Sequence, residues 1–438
     1  MRHVTARGLV AAALLGATVL AAWGAEEEAP AGPSLQKLLQ KLPFGLHGFV
    51  EARGGTRTQR DRYIGRTASI AETRLQLELS KVLELGDYSP EFRLKADALH
   101  DAVTADSSLR VREAFVLASP FDFADLKLGR QVLTWGTGDL VFINDLFPKD
   151  WQSFFIGRDD EYLKAPSDAA KVSLFLGFAN LDVVYTPRFR PDNYITGERI
   201  SYYSPTLGRL AGDDARVLAS RPDDWLDDDE LALRLYKNIQ GYEAALYAYH
   251  GFWRTPAGMN PATGRATFPP LAVYGASVRG AVGKGIGNIE IGYYDSRRDR
   301  DGDNPFVNNS EFRLLLGYEQ ELAKNLTGGV QYYLEWLQDY GGYKRTLPPG
   351  AHARDEFRHL VTLRLTRLLM NQNLRLSLFT FYSPSDNDAY LRPKANYKIN
   401  DHWSAEVGGN IFLGAQNHTF FGQFEENTNV YTGMRYSF

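Results

Sequence analysis

The chain has 438 residues, a formal net charge of -4 and no cysteine. That excludes disulfides, thiol catalysis, iron–sulfur clusters, thiolate zinc sites and covalent c-type haem, and it argues against a broad nucleic-acid footprint. With 40 glycines, 24 tyrosines and 25 phenylalanines against 4 methionines, the composition leans toward strands.

Residues 1–24 read as a secretory signal peptide. Arg2, His3 and Arg7 form a basic start, GLVAAALLGATVLAA is apolar but too short to span a bilayer, and Ala22 and Gly24 place small residues at a cleavage site. An uncleaved anchor is the alternative. Residues 25–43 read as a periplasmic segment with a short amphipathic helix. Ser34 is its N-cap, and Leu35, Leu38, Leu39 and Leu42 lie on one face.

From about residue 44 the hydrophobic period switches to two. Thr73, Leu75, Leu77 and Leu79 share one face, opposite Glu72, Arg74, Gln76 and Glu78. Phe92, Leu94, Ala96 and Ala98 oppose Arg93, Lys95 and Asp97. Val330, Tyr332, Leu334 and Trp336 oppose Gln331 and Glu335. A soluble sandwich alternates too, but its inner face is packed with apolar side chains. One apolar and one charged face in nearly every strand suits lipid outside and water inside. The pattern predicts an all-β fold over 44–438, a transmembrane antiparallel up-and-down β-barrel of about eighteen strands. Roughly sixteen is the alternative if two weak segments are miscounted. Strand starts fall near 46, 69, 91, 109, 125, 170, 181, 231, 242, 271, 286, 311, 327, 356, 373, 390, 403 and 428. Short turns such as GDYSP, GKGIG and MNQN alternate with long connections at 54–66, 136–169, 189–229, 251–269, 296–309, 340–354 and 415–427. Short periplasmic turns and long external loops produce that alternation.

The chain ends NVYTGMRYSF, with Val430, Thr432, Met434, Tyr436 and Phe438 on one face. This resembles the C-terminal assembly signal of Gram-negative outer-membrane proteins, with Tyr436 and Phe438 in its key positions and Thr432 as a departure. The resemblance implies export to the outer membrane, recognition by the barrel-assembly machinery, and closure onto the first strand near Leu46–Ala52. LKLGRQVLTWGTGD (Leu126–Asp139) and FFGQFEENTNVYTGMRYSF are similar to stretches of alginate-export-type and related porin-like barrels. That resemblance covers these two stretches alone. It implies a porin-like channel or exporter and leaves the cargo open.

A barrel of this size leaves an aqueous channel, so function resides in lumen charges and constricting loops. By parity, Arg74, Arg93 and Lys95 face inward on one side, extended by Arg110 and Arg112 and diluted by Glu72, Glu78 and Asp97. Arg358, Arg364, Arg375, Arg392, Lys394 and Lys398 form a second basic group with no inward acid among them. Glu290, Glu319, Glu321 and Glu335 form an adjoining acidic wall, with Arg313 as the exception. A basic wall beside an acidic one sets a transverse field and a mild anion preference. The alternative is that these are mutually paired charges that any wet lumen requires.

TGDLVFINDLFPKDWQSFFIGRDDEYLKAPSDA is too apolar for a solvated loop. It is expected to fold inward and narrow the pore, with Phe142, Asp150, Trp151, Arg158 and Asp159 at the constriction. Capping the mouth and contacting a neighbouring subunit are the alternatives. The acidic run Arg221–Glu230 is expected to be a solvated outer loop, with divalent binding that bridges to lipopolysaccharide as the alternative. DRDGDN fails the EF-hand pattern at Asn304 and Ser310, so neither a metal nor another cofactor is expected.

His47, His100, His250, His352, His359, His402 and His418 are scattered, with no HExxH and no GxSxG, so no enzyme is expected. An outer-membrane lipid hydrolase is the remote alternative. The expected function is a channel for diffusion of small hydrophilic solutes. The alternative is a dedicated exporter or conduit, for a polysaccharide or around a periplasmic partner. Expected partners are outer-membrane lipid, lipopolysaccharide and the assembly machinery, with a homotrimer or a periplasmic partner left open.

Overall fold

The computed structural model describes residues 44–85 and 88–438. The signal segment 1–24 and the amphipathic helix near 34–42 lie outside the described residues. Eighteen strands form one closed antiparallel sheet. They are β1 (Gly45–Arg57), β2 (Ala68–Val82), β3 (Glu91–Asp101), β4 (Asp106–Phe121), β5 (Ala124–Val132) and β6 (Pro166–Phe175). Next come β7 (Asn180–Thr186), β8 (Glu230–Ile239), β9 (Tyr242–Phe252), β10 (Pro270–Val282), β11 (Gly285–Ser296) and β12 (Glu311–Ala323). The last are β13 (Leu326–Leu337), β14 (Phe357–Leu369), β15 (Leu374–Ser383), β16 (Asp388–Lys398), β17 (Trp403–Gly414) and β18 (Asn429–Ser437). Every strand begins within a few residues of its expected start, because the period-two signal is local.

Each strand pairs with its sequence neighbour, and β18 returns to β1, from Phe49 opposite Ser437 to Arg57 opposite Asn429. The last residue extends this seam. Gly48 N–H donates to Phe438 O at 3.1 Å, Phe438 N–H donates to Gly48 O at 3.0 Å, and the Phe438 ring lies over Gly48. The backbone edge that a free strand would expose is thereby used up. Two connections at the long-loop end, 102–105 and 384–387, are tight turns rather than long loops. Asp101 closes the first by accepting from Val103 N–H at 2.9 Å.

The outer surface is apolar where a soluble protein would be polar. Val50, Leu246, Ile289, Val330, Val407 and Val430 are each exposed by 44 % or more. At the long-loop end Tyr274, Tyr293, Phe312, Trp336 and Phe357 form one row of directly opposed residues across β10 to β14. At the short-turn end Tyr242, Tyr397, Trp403 and Tyr436 mark a second level, with Trp403 opposite Tyr436. Two aromatic levels bracketing an apolar band are the signature of a strand-built membrane span, since aromatic rings with polar tips favour the interface. No helix among the described residues is long and apolar enough to cross a membrane.

Candidate functional site: an internal loop across the lumen

The inward faces converge on one connection, 133–165, between β5 and β6. It does not cover the mouth. It enters the barrel and is tied to strand after strand. Its first limb is seated by Glu290 of β11, which is 1 % exposed. The Glu290 carboxylate accepts from Thr137 N–H (2.6 Å), Thr137 Oγ1 (2.9 Å), Gly138 N–H (3.2 Å), Asn144 N–H (2.8 Å) and Asn144 Nδ2 (3.0 Å). Loop N–H groups removed from water need such partners, and a carboxylate is a strong acceptor. Gly292 on the same strand gives Ile143 room: a Cβ there would lie 2.6 Å from the Ile143 side chain. Asp139 exchanges two backbone hydrogen bonds with the Gln331 side chain (2.8 and 2.9 Å), and its carboxylate accepts from Arg364 at 2.7 Å.

The second limb begins with α1 (Trp151–Ile156). Asp150 caps it by accepting from Ser153 N–H at 2.7 Å. Phe154 and Phe155 pack among Phe381, Tyr390, Phe412 and Phe424, with Phe155 and Phe424 centroids 4.9 Å apart. Gly157 ends the helix at φ 86°, and a Cβ there would overlap the Tyr431 ring. Gly157→Ala is therefore expected to cost more than the ~1–2 kcal/mol of a left-handed non-glycine residue. A urea midpoint equal to that of the parent chain would contradict this.

After α1 each residue from Gly157 to Tyr162 finds a wall partner. Arg53 donates to Gly157 O at 2.8 Å. Arg158 donates to Glu72 at 2.5 and 2.9 Å. Arg435 donates to Asp159 at 3.0 Å and Glu51 at 2.7 Å. Asp160 accepts from Arg392 at 2.8 Å and Lys394 at 2.9 Å. Burial alone would raise the Asp160 carboxyl, but these two cations outweigh it and hold the group below the usual carboxylate range. Tyr162 OH accepts from Gln76 at 2.9 Å, and the Arg74 guanidinium sits 3.9 Å over its ring. Arg112 donates to the carbonyls of Glu161 (3.0 Å) and Lys164 (3.1 Å).

The expected wall residues all face inward, yet most are occupied. Glu290 and Arg392 seat the loop, and Arg74 is bound to Asp97 at 2.7 Å. Arg93 pairs with Glu91 (3.1 Å), Lys95 with Glu78 (3.2 Å), Arg358 with Asp386 (2.7 Å) and Lys398 with Asp401 (2.7 Å). Glu335 pairs with Arg354 (2.7 Å), Glu319 lies 3.7 Å from Arg364, and Glu321 accepts from Asn325 N–H at 3.0 Å. Arg375 is exposed and makes no ion pair among the described residues. The second basic wall also holds an inward acid, Asp388, whose Oδ2 accepts from Phe421 N–H at 2.6 Å. Asp150 is a helix cap, and Arg158 is 6 % exposed, so both support the constriction from behind.

Sequence parity did not flag Glu51, Arg53 and Glu406 as loop anchors, although the inward phase of Glu51 and Arg53 was readable. The sequence also carries no signal that connection 187–229 supports the internal loop. Arg199 within it forms an ion pair with Asp101 and lies 3.8 Å from Glu72. Asp192 accepts from Lys149 N–H (2.8 Å) and Trp151 Nε1 (2.7 Å), and burial pushes its carboxyl up.

At the mouth, connections 338–356 and 415–428 meet through His352 and His418, whose rings stack at 3.7 Å and 4°. Partial burial, then the neighbouring His352, lowers the pKa of His418. The neutral form of His418 is thus the favoured one. Its contribution is complete above the unfolded histidine value of about 6.5 and is lost as pH falls through the lowered folded value. An NMR titration should place His418 below about 6.5, moving up toward that value in His352→Ala; a parent value at or above it would overturn the assignment.

No family model matches the chain. No curated protein matches it either. Solved structures with a similar course include Salmonella typhi OmpF in complex with daunomycin, at 11 % identity and TM-score 0.46, over 90 % of this chain and 97 % of that one. The outer membrane channel DcaP of Acinetobacter baumannii is similar at 13 % identity and TM-score 0.44, over 90 % and 97 %. A triple mutant of the Rhodopseudomonas blastica porin is similar at 13 % and 0.40, over 90 % and 100 %. These likenesses are distant, and the fold of this chain rests on its own strand pairing.

Proposed function

We propose that the chain is an outer-membrane channel for passive diffusion of small hydrophilic solutes, narrowed by its loop over 136–169 and mildly anion-selective. The observation that carries this reading is the loop itself, drawn into the lumen and bound along its length to the walls. A barrel of this strand number would otherwise leave a wide aqueous passage. The charges left near water at the loop's edge are close to balanced. Asp160 keeps 50 % of its side chain exposed, Arg364 45 %, Glu319 40 % and Asp139 37 %. Counting covered and open groups together along that edge, Arg112, Lys164, Arg364 and the largely buried Arg392 and Lys394 outnumber Asp139, Asp160, Glu161 and Glu319 by one, which supports no more than a weak anion preference. In planar bilayers the protein should give ohmic steps and a small reversal potential toward chloride in a potassium chloride gradient. Absence of conductance, or clear cation selectivity, counts against the proposal.

The same reading makes Tyr436 and Phe438 the assembly signal and places the apolar band against outer-membrane lipid and lipopolysaccharide. Deleting Phe438 removes the terminal pairing with Gly48. It is expected to leave most of the chain unassembled and protease-sensitive. Normal levels of heat-modifiable, membrane-inserted barrel would contradict that role. A homotrimer is compatible with this reading, and cross-linking in native membranes tests it.

A further inference from the structure

Three external connections meet at the mouth in one cluster of rings. His352 lies in connection 338–356, His418 in 415–428 and Tyr203 in 187–229. The two imidazoles are face to face, with centroids 3.7 Å apart and planes within 4°. The Tyr203 ring stands against both, at 6.2 and 6.0 Å. The segment that carries His418 also borders an aromatic-walled cavity of about 440 Å³ beside the internal loop. Phe420 and Phe421, two and three positions after His418, are part of its lining.

The stack is a single point of attachment between two connections that are otherwise anchored apart. On 415–428, Asp388 accepts from Phe421 N–H (2.6 Å) and Gly422 N–H (3.2 Å), and Gln423 Oε1 accepts from Tyr203 N–H (3.0 Å). On 338–356, Arg354 donates to Glu311 (2.9 Å) and Glu335 (2.7 Å). Among the described residues no hydrogen bond, ion pair or further ring contact joins 338–356 to 415–428. The charges around the stack are few and committed. Ala415–Phe420 carries no charged residue besides His418, and Asp355 and Glu356 neighbour Tyr340. Asp386 is the carboxylate that faces His418, and it is already held by Arg358 Nε at 2.7 Å and Ser383 Oγ at 3.0 Å.

We infer that the His352–His418 stack is a latch that acid releases: once both rings carry protons, connection 338–356 parts from 415–428 and the external entrance widens. The inference rests on the channel reading for its meaning, as a control on entry ahead of the constriction. Neutral imidazoles stack as other flat rings do, but a second proton puts like charges at ring-contact distance, with Asp386 already committed elsewhere. Repulsion between unit charges about 4 Å apart in water lowers the ratio of latched to parted mouths roughly fivefold. Histidine is the side chain that titrates in mildly acidic water, so the release develops as pH falls below about 6.5.

Spin labels read the latch whether or not the barrel conducts. The chain has no cysteine, so Ala353→Cys with Asn417→Cys gives one labelled pair, each label next to one histidine. In the folded barrel in detergent, a short distance is expected at about pH 7.5, with a longer population growing by about pH 4.5 and the latched-to-parted ratio falling roughly fivefold. Adding His352→Phe with His418→Phe keeps two flat rings that take no proton, and the distance should then ignore pH. Heat-modifiable migration establishes that each variant is folded. A parent distance that is the same at both pH values overturns the inference, and so does an equal shift in the variant that lacks both histidines. A conducting barrel with no shift overturns the latch and spares the channel. A histidine-dependent shift in a barrel that does not conduct supports the latch and sinks the channel.

Discussion

Arg158→Ala is expected to loosen the internal loop, raising single-channel conductance and lowering stability by about 3–5 kcal/mol. The side chain is 6 % exposed, donates to both oxygens of Glu72 and also bonds Ser153 Oγ at 2.9 Å. Removing it leaves the Glu72 carboxylate in a desolvated wall without its principal partner. Arg74 at 3.6 Å and Arg199 at 3.8 Å remain near Glu72, which puts the loss at the lower end of that range. The loop would not be expelled, because Glu290 still holds its first limb. The expected signature is therefore larger and noisier conductance with an intact barrel. Arg158→Lys should recover part of both properties, since it restores the charge but not the two-pronged geometry. Parent-like conductance and denaturation midpoint in Arg158→Ala would show that this pair does not hold the constriction.

Asp160→Asn should turn a weak anion preference into a clear one. A single carboxylate, half open to water, is shared by Arg392 and Lys394. Its loss frees Arg392 and leaves Lys394 only Glu406, 3.8 Å away. One unit charge at about 4 Å in a watery medium is worth ~1 kcal/mol, or roughly a fivefold change in chloride over potassium permeability. The change should shrink between 0.1 M and 1 M salt as screening tightens. The share of the parent channel's selectivity that Asp160 sets should also persist to pH values below the usual carboxylate range, because the flanking cations keep it ionised there. A depressed carboxylate makes its contribution above its unfolded value and loses it only as pH falls through the lower folded one. A reversal potential unmoved by Asp160→Asn would place the selectivity elsewhere, with Arg364 and Asp139 the next pair to vary.

Glu290 and Phe142 show how far parity and composition reach. The inward phase of Glu290 was legible because neighbouring strands alternate against lipid. What it faces was not, because its partners Thr137 and Asn144 lie about 150 positions away. Phe142 belonged to a connection too apolar for water, which narrowed the loop to three placements: inside, over the mouth, or against another subunit. The alternation alone could not choose among them. The same limit applies to Arg392 and Lys394, which read as an open basic wall until Asp160 is brought beside them.

By itself the sequence determined the barrel, the approximate start of each strand and the two faces of each strand. Those features follow from a period-two pattern repeated between neighbours in the chain, with lipid on one side and water on the other. Tertiary structure alone decided the path of 133–165 through the lumen, the pairing of Arg158 with Glu72 and of Asp160 with Arg392, and the aromatic cavity above them. Each depends on desolvated groups from distant strands satisfying one another, and no local period records which partner a buried charge will find.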